Sequence, residues 1–313
     1  MSMATREAYG KALAELIVEN DKIVVLDADL TKSTKTIEAK KACPKRHFNM
    51  GIAEGNMMGV AAGLAASGKI VYASSFAMFA SGRAYEQIRN SICYSNLNVK
   101  ICATHAGISV GEDGASHQCN EDIGLMRGIP NMKVFQPCDA IETKAIIKAI
   151  SEIEGPCYVR LGRSKVEDIF DESYRFEYGK GRIIRKGKKV CIIASGMMVQ
   201  EAMKAGELLG KEGIEPTIVN IATIKPIDEK LLIEMAKTHE YIVTCEEHSI
   251  INGLGSAVCE VLAPYHLCKV IRIGIEDVFG ESGSTAELFD KYGLSAKDIV
   301  TSIKKYNNFN EKI

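Results

Sequence analysis

The chain is expected to fold as α/β, in two consecutive parallel-sheet domains, and three features of the sequence carry that expectation. Short β-branched runs alternate with helix-period stretches through residues 22–162. The alternation breaks over a charged, glycine-punctuated segment near 163–188 and then resumes. The runs are near-continuously apolar, which marks strands covered on both faces. A length of 313 residues also suits two domains of roughly 100–200 residues each.

In the first half the expected strands are KIVVLDADL (22–30), KIVYASSF (69–76), VKICATHAG (99–107), MKVFQP (132–137) and CYVRLG (157–162). Between them GNMMGVAAGLAAS, GRAYEQIRNSICYS and DAIETKAIIKAISEI carry apolar residues at helical spacing. RSKVEDIFDESYRFEYGKGRIIRKGK reads as an interdomain connection. KVCIIASG, a helix over 199–212, PTIVNIA, a helix over 228–238, YIVTCEE, a helix over 254–263, KVIRIGI and a closing helix near 296–305 make a second, smaller domain. The expected boundaries are 1–165, a linker over 166–188, and 189–313.

Composition narrows the function. A net charge of −1 and a pI near 6.6 give no global field for nucleic acid or an acidic membrane. The apolar runs fall far short of the ~18 residues a membrane span needs. MSMATREAYGKAL lacks the apolar centre of a signal peptide, so a cytoplasmic protein is expected. The ten cysteines lie in apolar runs with no Cys-x-x-Cys pair, which points to buried free thiols rather than disulfides or zinc.

In open parallel sheets, ligands bind beyond the carboxyl ends of the strands. First-domain strand ends and turns carry Asp27, Asp29 and Ser33; Glu54; Phe76, Phe79 and Arg83; His105, Asp113 and His117; and Arg160 and Arg163. Second-domain ends offer Ser195 with Gly196, and Glu246, Glu247 and His248. Glu54 is the one charge in FNMGIAEGNMMG, where an unpaired carboxylate is costly. THAGISVGEDGASHQ (104–118) is either a solvated turn or a loop of acid–base and hydroxyl-reading groups. Arg6, Ser33, His105 and Arg160 could form an anion site, although an exposed Arg6 and an ion-paired Arg160 are the plainer reading. Phe76 and Phe79 fit core packing or a flat wall for a heteroaromatic ring. His47 and His239 sit among charges and read as surface residues.

At these residues the sequence resembles the C-terminal part of transketolase: a pyrimidine-binding domain followed by the transketolase C-terminal domain. ATREAYGKA, DADLTKS, FNMGIAEGN, SSFAMFASGRAYEQIR, THAGISVGEDGASHQ and YVRLGRS match in the family's order. The resemblance implies a thiamine diphosphate pyrimidine-binding fold and a role in moving a two-carbon ketol unit from a ketose phosphate to an aldose phosphate. Glu54 matches the Glu that contacts N1′ of the cofactor's aminopyrimidine and drives deprotonation of the thiazolium C2, and an apolar pocket would raise its proton affinity. Phe79, with Phe76 beside it, matches the aromatic that stacks on the pyrimidine. Asp29 matches an acidic residue near that end of the cofactor. His105 and His117 match substrate-channel histidines that handle hydroxyl and carbonyl protons. Asp113 matches a carboxylate that reads a sugar hydroxyl, and Arg6, Ser33 and Arg160 match sugar-phosphate contacts.

The resemblance also implies a partner. The family's N-terminal domain, which holds the diphosphate and Mg2+ or Ca2+ through a GDG motif and a following Asn, has no match here. GEDG at 111–114 belongs to the substrate-loop match instead. A start at Met1, just before the first matched helix, fits a separately encoded subunit, working as a homodimer within a heterotetramer. Gly55 stands where many relatives have Gln, which is expected to leave room near the cofactor. The competing readings are a deoxyxylulose-phosphate synthase relative, a 2-oxo acid dehydrogenase β subunit, a non-catalytic regulatory subunit, or a non-thiamine α/β binding protein.

Overall fold

The computed structural model of the chain describes residues 2–265 and 267–310. Its strands, in chain order, are β1 (Ser2–Ala4), β2 (Ile23–Asp27), β3 (His47–Asn49), β4 (Ile70–Ser74), β5 (Val99–Ala103), β6 (Lys133–Phe135) and β7 (Cys157–Arg160). There follow β8 (Lys165–Glu167), β9 (Arg182–Arg185), β10 (Val190–Ala194), β11 (Thr217–Asn220), β12 (Thr223–Lys225), β13 (Tyr241–Ser249) and β14 (Lys269–Ile275).

A seven-stranded sheet takes the order β12-β6-β7-β5-β4-β2-β3, and a five-stranded sheet the order β14-β13-β10-β11-β9. All pairings within them are parallel except at one edge of each, where β12 runs antiparallel to β6 and β9 antiparallel to β11. Both exceptions lie outside the sequence expectation. Strand β12, from the second half of the chain, completes the first sheet, and β9 falls inside the segment 166–188 expected as a linker.

The period of two in a strand explains why the runs look uniformly apolar. Val24 and Leu26 pack with the helix Glu54–Ala66 on one face, while Ile23 and Val25 pack with Leu13, Ile17 and Ile146 on the other. Second-domain Ile192 and Ala194 face one core, and Cys191 and Ile193 the opposite one. All ten cysteines are free, and seven are buried. No helix of the described residues is long and apolar enough to cross a membrane.

Helices begin where the side chains permit. Asp139 accepts from the Glu142 amide to cap Ala140–Glu152, and Asp228 accepts from the Leu231 amide to cap Glu229–Thr238. The stretch GRAYEQIRNSICYS is less regular than expected. Wide π-type turns over Met78–Arg83 and Ile88–Cys93 flank a single helical turn, a distortion frequent at functional sites. Close backbone approach also orients the first helix. A Cβ on Gly10 would lie 2.6 Å from the Lys35 carbonyl oxygen, so Thr5–Glu19 packs directly on the 33–36 turn.

Candidate active site

Strands β2 to β5 and β7 end along one edge of the first sheet, and the candidate residues gather just beyond them. The turn after β2 is built on Asp27. Its carboxylate accepts from Thr31 Oγ1 (2.9 Å) and Thr36 Oγ1 (3.0 Å) and lies 2.8 Å from His47 Nε2. Burial pushes that carboxyl up, but these partners together hold it below the usual range. The expectation of a surface His47 is therefore corrected, since its side chain is buried against Asp27 at the start of β3. His239 is likewise half-buried, with Nε2 2.7 Å from Thr217 Oγ1.

The turn presents Asp29 and Ser33. Asp29 is exposed, with a left-handed φ of 59°, and exchanges hydrogen bonds of 3.0 and 3.1 Å with Asn49. Asn49 Oδ1 also accepts from the Gly51 amide at 2.9 Å, which ties this turn to the segment leading into Glu54. Ser33 contributes its backbone carbonyl, which accepts from Arg6 Nη1 at 2.9 Å.

Glu54 opens the helix Glu54–Ala66 and is 1% exposed. It has a partner that the sequence did not show. Arg83 Nη1 donates to Glu54 Oε2 at 2.8 Å, and the same guanidinium lies 4.6 Å from the centre of the Phe79 ring. The apolar, unpaired setting expected for Glu54 is thus corrected. Gly55 also differs from expectation, because the Gln87 side chain occupies the space beside it, 3.3 Å from where a Cβ would stand.

Phe76 and Phe79 are nearly parallel, 18° apart with centroids at 6.0 Å, and Phe79 is half-buried. His105 stacks on Phe76 at 3.8 Å, and His117 meets Phe79 edge-on at 5.4 Å. His105 has a left-handed φ of 56°, an uncommon state for a non-glycine residue that the surrounding structure must hold in place. Its Nε2 lies 3.1 Å from Arg6 Nη1. A guanidinium can only donate, so Nε2 is the acceptor and Nδ1 carries the proton toward Thr104 Oγ1 at 2.9 Å. Burial, then the charges of Arg6, Arg163 and His117, pull the His105 pKa down to about 3. Near neutral pH it is therefore an uncharged imidazole.

The arginines divide differently from the sequence reading. Arg160, expected among the sugar-phosphate contacts, is 2% exposed, and its Nε meets both Asp122 oxygens at 2.9 and 3.0 Å. Burial lowers its pKa, but the Asp122 and Glu247 charges raise it further. A guanidinium neutralised in this way has no free face for phosphate. Arg160→Ala is accordingly expected to cost about 3–5 kcal/mol of stability, by stranding Asp122 as a buried charge, and to leave substrate KM nearly unchanged. Denaturant titration beside steady-state kinetics checks this.

Arg163, rather than Arg160, lies beside Arg6 and His105. It is half-buried, donates to the Val110 carbonyl, and lies 3.3 Å from Glu112 and 3.8 Å from Asp113. Its charge acts on both Arg6 and His105. Arg6 Nε is buried without a hydrogen-bond partner, so an unfilled donor faces this corner. The signal for Arg163 was present in YVRLGRS, where β7 stops at Arg160 and the chain has left the sheet by 163. Among the described residues, no group of three or more His, Cys, Asp and Glu is placed to hold a metal ion.

Comparison with known proteins fits this geometry. Residues 1–168 match the family described as transketolase, pyrimidine binding domain, and residues 179–299 match transketolase, C-terminal domain. A transketolase C-terminal section from Methanocaldococcus jannaschii is 54% identical over 301 residues, covering 95% of this chain and 94% of its own. A 6-deoxy-6-sulfo-D-fructose transketolase subunit from Clostridium sp. is 41% identical over 295 residues, covering 94% and 92%. Among solved structures, a split gene transketolase described as an inactive β4 tetramer matches with a TM-score of 0.91 at 57% identity, covering 97% of this chain and 98% of that one. Matched over both of its halves, and along nearly the whole length of the two relatives named here, the chain belongs to the transketolase family.

Proposed function

We propose that the chain is the pyrimidine-binding subunit of a thiamine-diphosphate-dependent transketolase, moving a two-carbon ketol unit between phosphorylated sugars together with a second polypeptide. One observation carries this reading. Buried Glu54 is joined to the Phe76–Phe79 rings through Arg83, His105 and His117 both pack on those rings, and Arg6 lies against His105. The residues present fit the pyrimidine end of the cofactor: a flat aromatic face, a carboxylate reached across Arg83, and an acidic residue at Asp29. When bound, thiamine diphosphate supplies an acidic thiazolium carbon that serves as nucleophile and electron sink.

The chain's own groups divide the remaining work. Glu54 holds a proton against the ring nitrogen, and Phe79 with Phe76 fixes the ring plane. His117 is half-buried and the freer of the two imidazoles for proton movement at the sugar, while His105 accepts from Arg6 and orients it. Asp113, exposed at the loop tip, reads a sugar hydroxyl. Arg6 and Arg163 bind the terminal anion, with Ser33 holding Arg6 through its carbonyl. The diphosphate and its Mg2+ or Ca2+ are assigned to the partner. That assignment draws support from a relative named as a subunit and another named as split. Ten free cysteines suit a cytoplasmic setting.

Arg163→Ala tests the substrate class. A charge-assisted contact is worth about 1.5–3 kcal/mol, so KM for phosphorylated sugars is expected to rise roughly 10- to 100-fold. Unphosphorylated analogues should change little in the same two-carbon transfer assay. Equal losses for both would remove the phosphate subsite, and absence of transfer in the wild-type assembly would remove the reaction. A sulfonate-bearing sugar presents the same three oxygens to these arginines. It is the second reading, favoured if its KM lies below that of the phosphate.

A further inference from the structure

The loop 105–118 carries His105, Asp113 and His117, yet its own backbone is poorly suited to hold them. Gly107, Gly111 and Gly114 all have positive φ, and His105 itself is left-handed. First-domain groups hold part of the loop, with Ser164 Oγ donating to the Ser109 carbonyl and Arg163 to the Val110 carbonyl, and the second domain holds it from the other side. Glu247, on β13, is 3% exposed, and its Oε1 accepts from the Ser109 amide at 2.6 Å. A Cβ on Gly107 would stand 2.3 Å from that oxygen, so the loop backbone lies directly on the carboxylate. At the far end Gln118 Nε2 donates to the Glu281 carbonyl at 2.8 Å, and Thr285 Oγ1 donates to the Ser109 carbonyl at 3.3 Å. From beneath, Arg160 Nη2 donates to the Cys119 carbonyl at 3.1 Å.

We propose that Glu247 is a positioning residue of the active site: through the Ser109 amide it holds the histidine loop in register with the cofactor wall. None of the polar groups assigned to the site above comes from the second domain, which on this reading contributes to the reaction by clamping the loop. Burial pushes the Glu247 carboxyl up, while Arg160 and the Ser109 amide pull against it. Arg160, Asp122 and Glu247 thus form one charge group joining β7, the helix Asp122–Arg127 and the second domain. The clamp matters most where the backbone is strained. Gly107 and Ser109 lie two and four residues beyond His105, whose ring must stay stacked on Phe76 at 3.8 Å.

The consequence for turnover rests on the ketol-transfer reading above; the clamp itself does not. Glu247→Ala removes the acceptor, Glu247→Gln keeps a carbonyl oxygen for Ser109, and Glu247→Asp withdraws the acceptor while keeping the charge facing Arg160. In the full chain, amide exchange over 106–118 is expected to speed up about tenfold in Glu247→Ala and Glu247→Asp, and less in Glu247→Gln, with 190–194 in the second-domain core unchanged. In the assembled enzyme kcat is expected to follow the same order, falling roughly 10- to 100-fold for Glu247→Ala with KM changed less than about threefold. Should Glu247→Ala not fold, the Asp and Gln variants make the comparison. Loop exchange at the wild-type rate in Glu247→Asp would overturn the proposal, as would acceleration spread evenly over both domains. If wild-type assemblies transfer no ketol group, the reaction fails while the exchange result still decides the clamp.

Discussion

Glu54→Gln is expected to leave the fold intact and to lower ketol transfer by about 10³- to 10⁴-fold, the upper range for losing a proton-handling group. Glutamine keeps the volume and the position at the start of the helix Glu54–Ala66. It cannot take up and release a proton against a ring nitrogen. Stability should change little. The guanidinium left behind, Arg83, is 51% exposed and remains hydrated, so losing the pair costs about 0–1 kcal/mol. That separates the chemical effect from any structural one. The measurement is exchange of the thiazolium C2 hydrogen in the assembled enzyme, with circular dichroism and thermal melting of the variant alongside. Exchange at the wild-type rate would remove Glu54 from its assigned role.

The same residue shows where sequence reading stops. A lone carboxylate in FNMGIAEGN was visible as an anomaly, but its partner lies 29 residues away on a wide turn. Nothing local connects them. Local pattern did deliver the alternation of strands and helices, because a strand packed on both faces must be apolar throughout. Antiparallel edge strands such as β12 stayed hidden, since three residues are too few to show a period. His47 was misread for the same reason: it opens a three-residue strand, and the charges beside it in sequence point elsewhere. Arg160 and Arg163 show the sharper limit. Both occur in YVRLGRS, and which one is buried in an ion pair depends on the residue at which β7 ends. Strand ends are set by pairing to β5 and β6, which is long-range information.

The second large effect concerns the diphosphate end of the cofactor. Purified alone, the chain is expected to be folded, because each sheet buries apolar residues on both faces. It is also expected to transfer no ketol group in the presence of thiamine diphosphate and Mg2+. On the proposed reading, Glu54, Phe76 and Phe79 offer a plane and a proton site for the pyrimidine. A diphosphate, however, requires concentrated positive charge, normally a divalent metal held by several oxygen ligands. On the proposed assignment Arg6 and Arg163, which lie beside His105, serve the sugar end and so do not replace it. Binding of the cofactor to this chain alone should therefore be weak. A protein that bound it at 100 times Kd would gain about 2.7 kcal/mol of stability, a rise of several degrees in Tm. The expected result is no such shift until the N-terminal-type subunit is added. Activity and the cofactor-dependent Tm shift should then appear together and saturate at one partner per chain, consistent with two copies of each. A cofactor shift or full turnover in the chain alone would overturn the split-site reading, since the diphosphate would then have to be held by residues assigned to the sugar.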